Sequence, residues 1–408
     1  MTSPTCLICG ARFQPFISFG RQPIANAFLP PDGVANEFFY ELTVGTCPRC
    51  HMVQLGELVD PSKLFHEAYA FYSGTSKGMA AHFERAADAI RREHLGRADP
   101  FIVEIGSNDG IMLRHFAKAG IRHLGVEPSA NVAAVAIEQG VRTVSRFFDD
   151  ALAREILASD GTADVIFGAN VICHIPDLNG VVSGVRTLLR PGGAFIFEDP
   201  YLGDIVQKAS FDQFYDEHVF YFSTIALDAL FRSHGMEIAD LEPQSAHGGE
   251  IRYTVRHQGA GPISATVAAT LARERELGLD RPETFEALRR RIERNRDGLV
   301  ALLRSLRTEG RRVVGYGATS KSTTVTNYCG IGPDLLDYIS DTTPIKQGRV
   351  SPGTHIPVRP YSAFQADPPS HALLFAWNHA TEILAKEREY LERGGRFIVY
   401  VPDVALVP

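Results

Sequence analysis

Long apolar segments are missing from this sequence: it contains no run of about 18 consecutive apolar residues, the length that a membrane-spanning helix needs. The start of the chain also lacks the basic and apolar regions of a secretory signal peptide. Positive charge is not in excess, because 41 Lys and Arg residues face 48 Asp and Glu residues and leave a net charge of −7. We therefore expect a cytoplasmic protein that binds neither membranes nor nucleic acids.

Cysteine is scarce as well. Only six cysteines occur in 408 residues, and in a reducing cytosol they do not predict a disulfide framework. Cys173 and Cys329 lie alone in apolar surroundings and are predicted to be inert core residues. The other four form two Cys-x-x-Cys pairs, which can present four thiolates to one tetrahedral ion; a redox dithiol is the alternative, although redox pairs rarely come doubled. The predicted ligands of a structural Zn²⁺ are Cys6, Cys9, Cys47 and Cys50.

The two cysteine pairs are separated by residues 10–46, an interval longer than the usual spacing of about 12–20 residues between such pairs. An insertion must therefore loop out between them. Its segment FGRQPIANAFLP is rich in turn-forming residues and could cover a binding cleft. We expect the metal itself to lie remote from any chemistry.

The central part of the sequence alternates helix and strand patterns. Apolar residues recur at helical spacing over residues 79–95, and PFIVEIGSNDG then predicts a strand that runs into a turn at Gly106 and Gly110. A second strand ends on Glu127, where an acid in a βαβ unit accepts hydrogen bonds from both ribose hydroxyls of a nucleoside. The turn lacks the third glycine that cradles a pyrophosphate, which favours S-adenosylmethionine (SAM) over the rival, a dinucleotide. The predicted SAM-binding residues are Gly106, Asn108, Gly110, Glu127, Phe148 and Asn170.

The downstream order of patterns agrees with this interpretation. ADVIFGANVICHIPD predicts a buried strand that breaks at Asn170 and a loop with His174, and LLRPGGAFIFEDPY predicts a Pro-Gly-Gly turn into another strand. Over roughly residues 70–260 the sequence resembles class I SAM-dependent methyltransferases.

The segment FDQFYDEHVFYFST follows that last strand and places Tyr215, Glu217 and His218 at the sheet edge where α/β proteins bind ligands. A carboxylate beside an imidazole can hold its tautomer and raise its basicity, and a nearby phenol can donate to developing negative charge. The alternative is a purely structural role, in which the aromatic run belongs to the core and Glu217 is an exposed turn residue.

Four features together resemble the nucleotide-sugar C-methyltransferases that make branched deoxysugars such as mycarose and tetronitrose: the Cys-pair head, the EIGSNDG turn, the Tyr-x-Glu-His segment and the HGGEIR loop. The resemblance covers essentially the whole chain. It implies a catalytic cluster of Tyr215, Glu217 and His218, with His218 as the base. His174, the competing base, and Tyr69 would complete the pocket. The family often shows YxYFSS where this chain has YAFYSG, and of its two tyrosines that could carry the role we favour Tyr69.

The last third of the sequence shifts to Arg, Glu, Ala and Leu between about 262 and 310, where Pro282 separates two predicted helices. RRVVGYGATSKSTTVTNY then repeats the strand, Gly turn and helix pattern, and a further strand ends on Asp341. This turn also lacks the third fingerprint glycine, so it only weakly indicates binding of NAD. The alternative is that the start of the helix binds the pyrophosphate of a nucleotide-sugar. The predicted substrate-binding residues are Gly317, Ser320, Lys321 and His247.

These features predict an α/β protein of three domains: a zinc-binding domain at 1–70, a Rossmann-like class I SAM-methyltransferase domain at 71–260, and a second nucleotide-binding-like α/β domain at 261–408. The resemblance implies methyl transfer from SAM to a carbon alpha to the ketone of a nucleotide-diphosphate-linked 4-keto-deoxysugar, at C3 of a dTDP-sugar, after base-catalysed enolate formation. The alternative function is an NAD-dependent nucleotide-sugar oxidoreductase or epimerase that uses the C-terminal Gly turn.

Overall fold

The computed structural model describes residues 5–64, 77–244 and 248–407. Tyr69 and His247 lie outside these ranges, so their predicted roles in the pocket stay predictions. The first predicted domain boundary, at residue 70, also lies outside them. Within the described ranges, no helix combines the length and the apolar character needed to cross a membrane.

The first sheet is antiparallel and follows the order β1-β2-β3-β9. Three of its strands come from the head of the chain and flank the cysteine pairs, whereas the fourth comes from the segment that follows His218. Their bounds are β1 Gln14–Pro23, β2 Phe39–Thr46, β3 Val53–Leu55 and β9 Phe220–Tyr221. The predicted catalytic segment, residues 211–224, is therefore built into the sheet of the zinc-binding head. A short helix, α1, covers Pro61–Leu64.

The central sheet has the order β10-β11-β8-β7-β4-β5-β6. Its strands run parallel except β11, which is antiparallel to both of its neighbours. The bounds are β4 Phe101–Ile105, β5 Arg122–Val126, β6 Thr143–Val144, β7 Ala163–Ala169, β8 Leu189–Pro200, β10 Met236–Gln244 and β11 Glu250–His257. A reversed strand inserted near one edge of a parallel sheet is the topology of the class I methyltransferase fold, which confirms the predicted fold class.

Helices accompany the central sheet, and they are α2 Lys77–His94, α3 Leu113–Lys118, α4 Ala130–Glu138, α5 Asp150–Asp160, α6 Leu178–Leu188, α7 Leu202–Lys208, α8 Thr224–Ser233 and α9 Ala265–Leu277. Side-chain oxygens of Asp149, Asp177 and Ser223 cap the first turns of α5, α6 and α8. Glu274 of α9 accepts hydrogen bonds from the first amides of α8, at 2.7 Å from Thr224 and 2.8 Å from Ile225. This helix thus packs on the methyltransferase unit, although it lies beyond the predicted boundary at residue 260.

The third sheet follows the order β14-β13-β12-β15-β16-β17 and is parallel apart from β17. Its strands are β12 Val313–Tyr316, β13 Ile339–Asp341, β14 Val358–Pro360, β15 His371–Leu374, β16 Arg396–Val399 and β17 Ala405–Val407. The helices of this part are α10 Pro282–Thr308, α11 Ser320–Cys329, α12 Tyr361–Ala366, α13 Ala380–Lys386 and α14 Arg388–Glu392. Pro282 occupies the first turn of α10, where a missing N–H costs nothing.

Apolar residues recur along α10 at helical spacing, and the stripe that this spacing predicts is buried along its length. Its members are Phe285, Leu288, Ile292, Leu299, Leu303 and Leu306. Asn295 interrupts that stripe and is buried too, because its amide donates to the carbonyls of Tyr400 at 3.2 Å and Pro402 at 2.8 Å. The polar residue therefore satisfies two carbonyls of the chain that follows β16.

One hydrophobic core joins the head sheet, the catalytic segment and α10. The ring of Phe16 in β1 lies 5.1 Å from that of Phe285 in α10 and 6.4 Å from that of Phe214. Phe19 of β1 contacts Tyr328 of α11 at 4.7 Å between ring centroids. Burial of each such side chain stabilises the fold by roughly 1.5–3 kcal/mol, so the three predicted domains are not independent bodies.

The predicted Pro-Gly-Gly turn before β8 differs from the structure. The strand already begins at Leu189, and its register against β7 jumps from Leu189 opposite Ala163 to Ala194 opposite Val165. The extra residues form a bulge inside the strand, where Gly192 adopts a φ of +75°.

Candidate functional site

The four predicted zinc ligands converge at the end of the head sheet. The Sγ atoms of Cys6 and Cys50 lie 3.5 Å apart, those of Cys9 and Cys47 lie 3.4 Å apart, and all four lie within 4.8 Å of one another. A tetrahedral zinc with Zn–S bonds of about 2.3 Å needs sulfur atoms about 3.8 Å apart. The arrangement therefore fits the ion.

Both cysteine pairs sit on the same kind of turn. The amide of Gly10 donates to the carbonyl of Cys6 at 2.9 Å, and the amide of His51 donates to the carbonyl of Cys47 at 2.9 Å. Gly10 and His51 occupy equivalent positions with φ of +70° and +59°. The two turns match because each must bring two thiolates to one point.

The turn after β4 has the backbone that its glycines predicted. Gly106 and Gly110 adopt φ of +67° and +77°, and Asn108 between them adopts +48°. A Cβ on Gly106 would lie 2.6 Å from a methyl of Val171, so only glycine lets the chain pass there.

Glu127 follows β5 directly, and its carboxylate closes this turn. Its two oxygens accept hydrogen bonds from the amide of Asn108 at 3.0 Å and from the amide of Ser129 at 2.8 Å. Burial raises the pKa of Glu127, and the two amides oppose that shift. The carboxylate is thus fixed beside the glycine turn, where a nucleoside could approach both.

The two remaining predicted SAM residues lie in different surroundings. Asn170 directly follows β7 with a φ of +53°, and its backbone amide donates to the carbonyl of Glu198 at 2.7 Å. Phe148 is 4% exposed and packs in the core beneath the sheet, whereas its neighbour Phe147 is 49% exposed. Phe148 is therefore largely covered in the free protein, and its predicted contact with the cofactor stays a prediction.

The predicted catalytic histidine is held at both ring nitrogens. The hydroxyl of Tyr215 lies 2.8 Å from Nε2 of His218, and the carbonyl of Gln213 lies 3.0 Å from Nδ1. A carbonyl only accepts, so Nδ1 carries the proton and Nε2 accepts from Tyr215 in the neutral ring. The ring of His174 stacks on that of His218 with centroids 5.2 Å apart. The structure therefore brings Tyr215, His174 and His218 into one cluster.

Adjacency in sequence suggests that Glu217 orients this imidazole, but in the structure it does not. Its Oε1 accepts a hydrogen bond from the side-chain amide of Asn26 at 2.6 Å. The role of holding the tautomer falls to the carbonyl of Gln213, because the 211–213 turn folds that backbone group under the ring. Burial raises the pKa of Glu217, so this residue is not the exposed turn acid of the structural alternative.

The C-terminal Gly turn repeats the geometry of the first one. Gly317 adopts a φ of +93°, and Asp341 at the end of β13 accepts from the amides of Ala318 at 2.6 Å and Thr343 at 2.7 Å. The predicted diphosphate contact therefore cannot use the amide of Ala318. The amide of Thr319 donates to the carbonyl of Gly317 at 3.1 Å. The amides of Ser320 and Lys321 belong to the first turn of α11, whose N–H groups have no acceptor within the helix.

Lys321 faces the methyltransferase part of the chain. Burial lowers the pKa of Lys321, and the charges of Asp212 and Glu250 oppose that shift. Asp212 is itself held by Trp377 Nε1 at 2.6 Å and by the Tyr400 hydroxyl at 2.8 Å. The ammonium group thus lies where the C-terminal sheet meets the catalytic segment and the start of β11.

Comparison with known proteins identifies this combination of parts. Over 406 residues the chain is 35% identical to C-methyltransferase NovU of Streptomyces niveus, and the alignment covers 98% of this chain and 96% of that one. The chain belongs to the same C-methyltransferase family. Its residues 6–65 match the family of a zinc binding domain, residues 79–241 a methyltransferase domain, and residues 245–402 the C-methyltransferase C-terminal domain.

Further matches cover a smaller share of this chain. The ubiquinone biosynthesis O-methyltransferase of Cupriavidus pinatubonensis is 30% identical over 100 residues, which are 24% of this chain and 40% of that protein. Among solved structures, the PH0226 protein from Pyrococcus horikoshii is 15% identical with a TM-score of 0.37 and covers 50% of this chain and 100% of that one. The identification rests on the NovU alignment, which confirms a SAM-dependent C-methyltransferase with a zinc-binding head and leaves no support for the oxidoreductase alternative.

In this C-methyltransferase, sequence reasoning missed a buried acid beside the glycine turn that follows β4. Glu104 in the middle of β4 is 3% exposed, and burial together with the charges of Glu127 and Asp109 raises its pKa well above the usual range. A single acid within the apolar run FIVEI is the signal that could have found it, because a buried carboxyl group in a strand needs a reason.

Proposed function

We propose that this C-methyltransferase acts on a nucleotide-diphosphate-linked 4-keto-deoxysugar, at C3 of a dTDP-sugar, through an enolate. The observation that supports this most is that α11 packs on the segment that carries the Tyr215–His218 pair: the hydroxyl of Thr324 in α11 donates to the carbonyl of Phe214 at 2.9 Å, and the charge of Asp212 acts on Lys321 of the same helix. The Tyr215–His218 pair suits removal of a proton from carbon, and Lys321 suits binding of an anionic group on the same substrate molecule.

Carbon is a poor nucleophile, so the acceptor must first lose the proton alpha to its ketone. His218 is suited to accept that proton, because its neutral tautomer has Nδ1–H on the Gln213 carbonyl and its lone pair on Nε2. The same carbonyl would stabilise the imidazolium after proton uptake. The hydroxyl of Tyr215 lies 2.8 Å from Nε2; once Nε2 has taken the alpha proton it no longer accepts from Tyr215, whose hydroxyl keeps its own proton and can donate it in a hydrogen bond to the enolate oxygen.

His174 is the weaker candidate for the base. Burial lowers the pKa of His174 to about 4. A base with so low a pKa has little driving force to take a proton from carbon near neutral pH. We therefore assign His174 to packing against the His218 ring and to lining the pocket.

SAM supplies an electrophilic methyl group on sulfonium when it is bound. The residues of this chain that fit it are the glycine turn and Glu127: Gly106 and Gly110 allow close approach of the backbone, and Glu127 offers a fixed carboxylate to the ribose hydroxyls. The charges of Glu127 and Asp109 help to raise the pKa of the buried Glu104, and a cationic ligand at the turn would oppose that shift.

The nucleotide diphosphate would be held at the start of α11. Two amides of its first turn and the ammonium of Lys321 offer donors to phosphate oxygens, and the helix dipole adds to them. Desolvation weakens Lys321 as a cation in the free protein, so an incoming dianion would restore its charge.

The experiment that tests the proposed function incubates the full chain with SAM and a panel of dTDP-, GDP- and CDP-linked 4-keto sugars. We expect a mass gain of one methyl group on a dTDP-sugar, and exchange of the alpha hydrogen into deuterated water when SAM is left out. Methylation of a keto compound without a nucleotide at equal efficiency would contradict the assignment of the α11 site.

A further inference from the structure

The loop between the two cysteine pairs reaches the catalytic segment. The side-chain amide of Asn26 donates to Oε1 of Glu217 at 2.6 Å, and the backbone amide of Ala25 donates to Oδ1 of Asp216 at 2.9 Å. Asp216 is 1% exposed and Glu217 is 6% exposed. A residue of the zinc-binding head therefore holds the acid that directly precedes His218.

The same loop is fastened to the C-terminal domain on its other side. The hydroxyl of Thr323 in α11 donates to the carbonyl of Ala25 at 2.8 Å. Further along, Leu29 and Val350 exchange backbone hydrogen bonds of 3.2 and 2.9 Å. The loop is thus clamped between the catalytic segment and the C-terminal sheet, and its position depends on both.

Lys346 of the C-terminal domain completes the junction. Its ammonium donates to the carbonyl of Ala318 at 2.7 Å and lies 4.7 Å from the ring centroid of Phe28. Its charge also opposes the rise that burial causes in the pKa of Glu217. Glu217 is therefore the carboxylate at which all three parts of the chain meet.

We propose that Asn26 is a positioning residue for Glu217, through which the folded zinc-binding head contributes to the reaction. This inference rests on the proposed function, since it takes Glu217 as a group that faces the acceptor. A hydrogen bond on Oε1 fixes the carboxylate in one orientation before the substrate binds and leaves Oε2 for an acceptor hydroxyl. The metal acts only by stabilising the fold of the head. The loop that carries Asn26 then links the folded head to Glu217.

The first test compares Asn26→Ala with a matched control, Asn36→Ala, which changes the same residue type at an exposed position of the same loop. We expect Asn26→Ala to lower kcat/KM for the acceptor about tenfold, with unchanged SAM affinity and a full zinc content. The control should behave as the wild type. A wild-type kcat/KM in Asn26→Ala would overturn the proposal.

Two further variants separate positioning from a merely structural role. If Asn26 acts only through Glu217, then adding Asn26→Ala to a Glu217→Ala background, which lacks the accepting oxygen, should cause no further loss of kcat/KM, whereas multiplicative losses would overturn the inference. Asn26→Asp places a second carboxylate against Glu217 and should move the acidic limb of the kcat/KM profile to higher pH. An unmoved limb would count against the contact.

Failure of the proposed function gives a different result. It would be visible as absence of turnover by the wild-type enzyme with every keto sugar of the panel. In that case the same double-mutant cycle read by thermal unfolding tests the contact alone: non-additive shifts in Tm support it, and additive shifts refute it.

Discussion

Replacement of Glu127 by Ala is the sharpest test of the cofactor site. In the structure the carboxylate accepts hydrogen bonds from the amides of Asn108 at 3.0 Å and Ser129 at 2.8 Å. In the proposed cofactor site it accepts two more from a ribose. The substitution removes both sets. Its effect on SAM binding must therefore be separated from its effect on stability.

The magnitudes follow from the kinds of bond that are lost. Two hydrogen bonds to a charged group are worth at least about 1.5 kcal/mol each, or about 3 kcal/mol together, which corresponds to a SAM affinity about 100-fold weaker. The two amides that lose their acceptor cost about 1–3 kcal/mol each in the folded protein. We therefore expect a measurable fall in Tm as well, although the large shared core should keep the chain folded.

The chain offers a matched control in Asp341→Ala. Asp341 accepts the amides of Ala318 and Thr343 in the same pattern, but in the C-terminal turn. Calorimetric titration with SAM should show the affinity loss in Glu127→Ala only, while both variants lose thermal stability. An unchanged affinity in Glu127→Ala together with a weakened one in Asp341→Ala would refute the reasoning and move the cofactor to the second turn.

Further predictions concern the base, the diphosphate and the pH dependence of stability. His218→Ala should abolish both exchange of the alpha hydrogen and methylation, whereas His174→Ala should retain measurable exchange; wild-type exchange in His218→Ala would reduce His218 to a positioning role. Lys321→Ala should raise the KM of the sugar nucleotide and spare SAM affinity, and an equal loss of both would indicate general damage instead. Burial raises the pKa of Asp199 to about 8, so the folded state holds a proton that the unfolded state releases between about pH 4 and 8, and stability falls as pH rises through that window. Asp199→Asn should therefore unfold at a higher temperature than the wild type at pH 8, with a difference that shrinks towards pH 5; a constant difference in thermal scans across this range would show that the carboxyl is ionised in the fold.

Much of the site lay within reach of sequence reasoning because its signals are local. The doubled Cys-x-x-Cys pattern, the glycines of both turns and the acids that end β5 and β13 all occur at the predicted places. The period of apolar residues likewise located α2 and the stripe of α10. In each case a few neighbouring residues have to meet one geometric requirement.

The predictions that differed from the structure depend on side chains that are neighbours in sequence but not in space. Glu217 precedes His218, yet their side chains diverge, and the imidazole pairs with Tyr215 and with the backbone of Gln213 instead. Sequence adjacency carries no information about which of two neighbours points into a site.

What the sequence determined by itself is the chemistry available to this C-methyltransferase: four thiolates for one metal, two glycine turns with an acid after the next strand, and a histidine beside a tyrosine. Only the tertiary structure decided how the zinc-binding head, the methyltransferase domain and the C-terminal domain contact one another. Asn26 and Glu217 are 191 residues apart in the chain, and they meet because the head sheet, the catalytic segment and α10 bury their aromatic side chains in one core. Packing of that kind is cooperative over the whole molecule, and no period or motif within a single segment of the sequence encodes it.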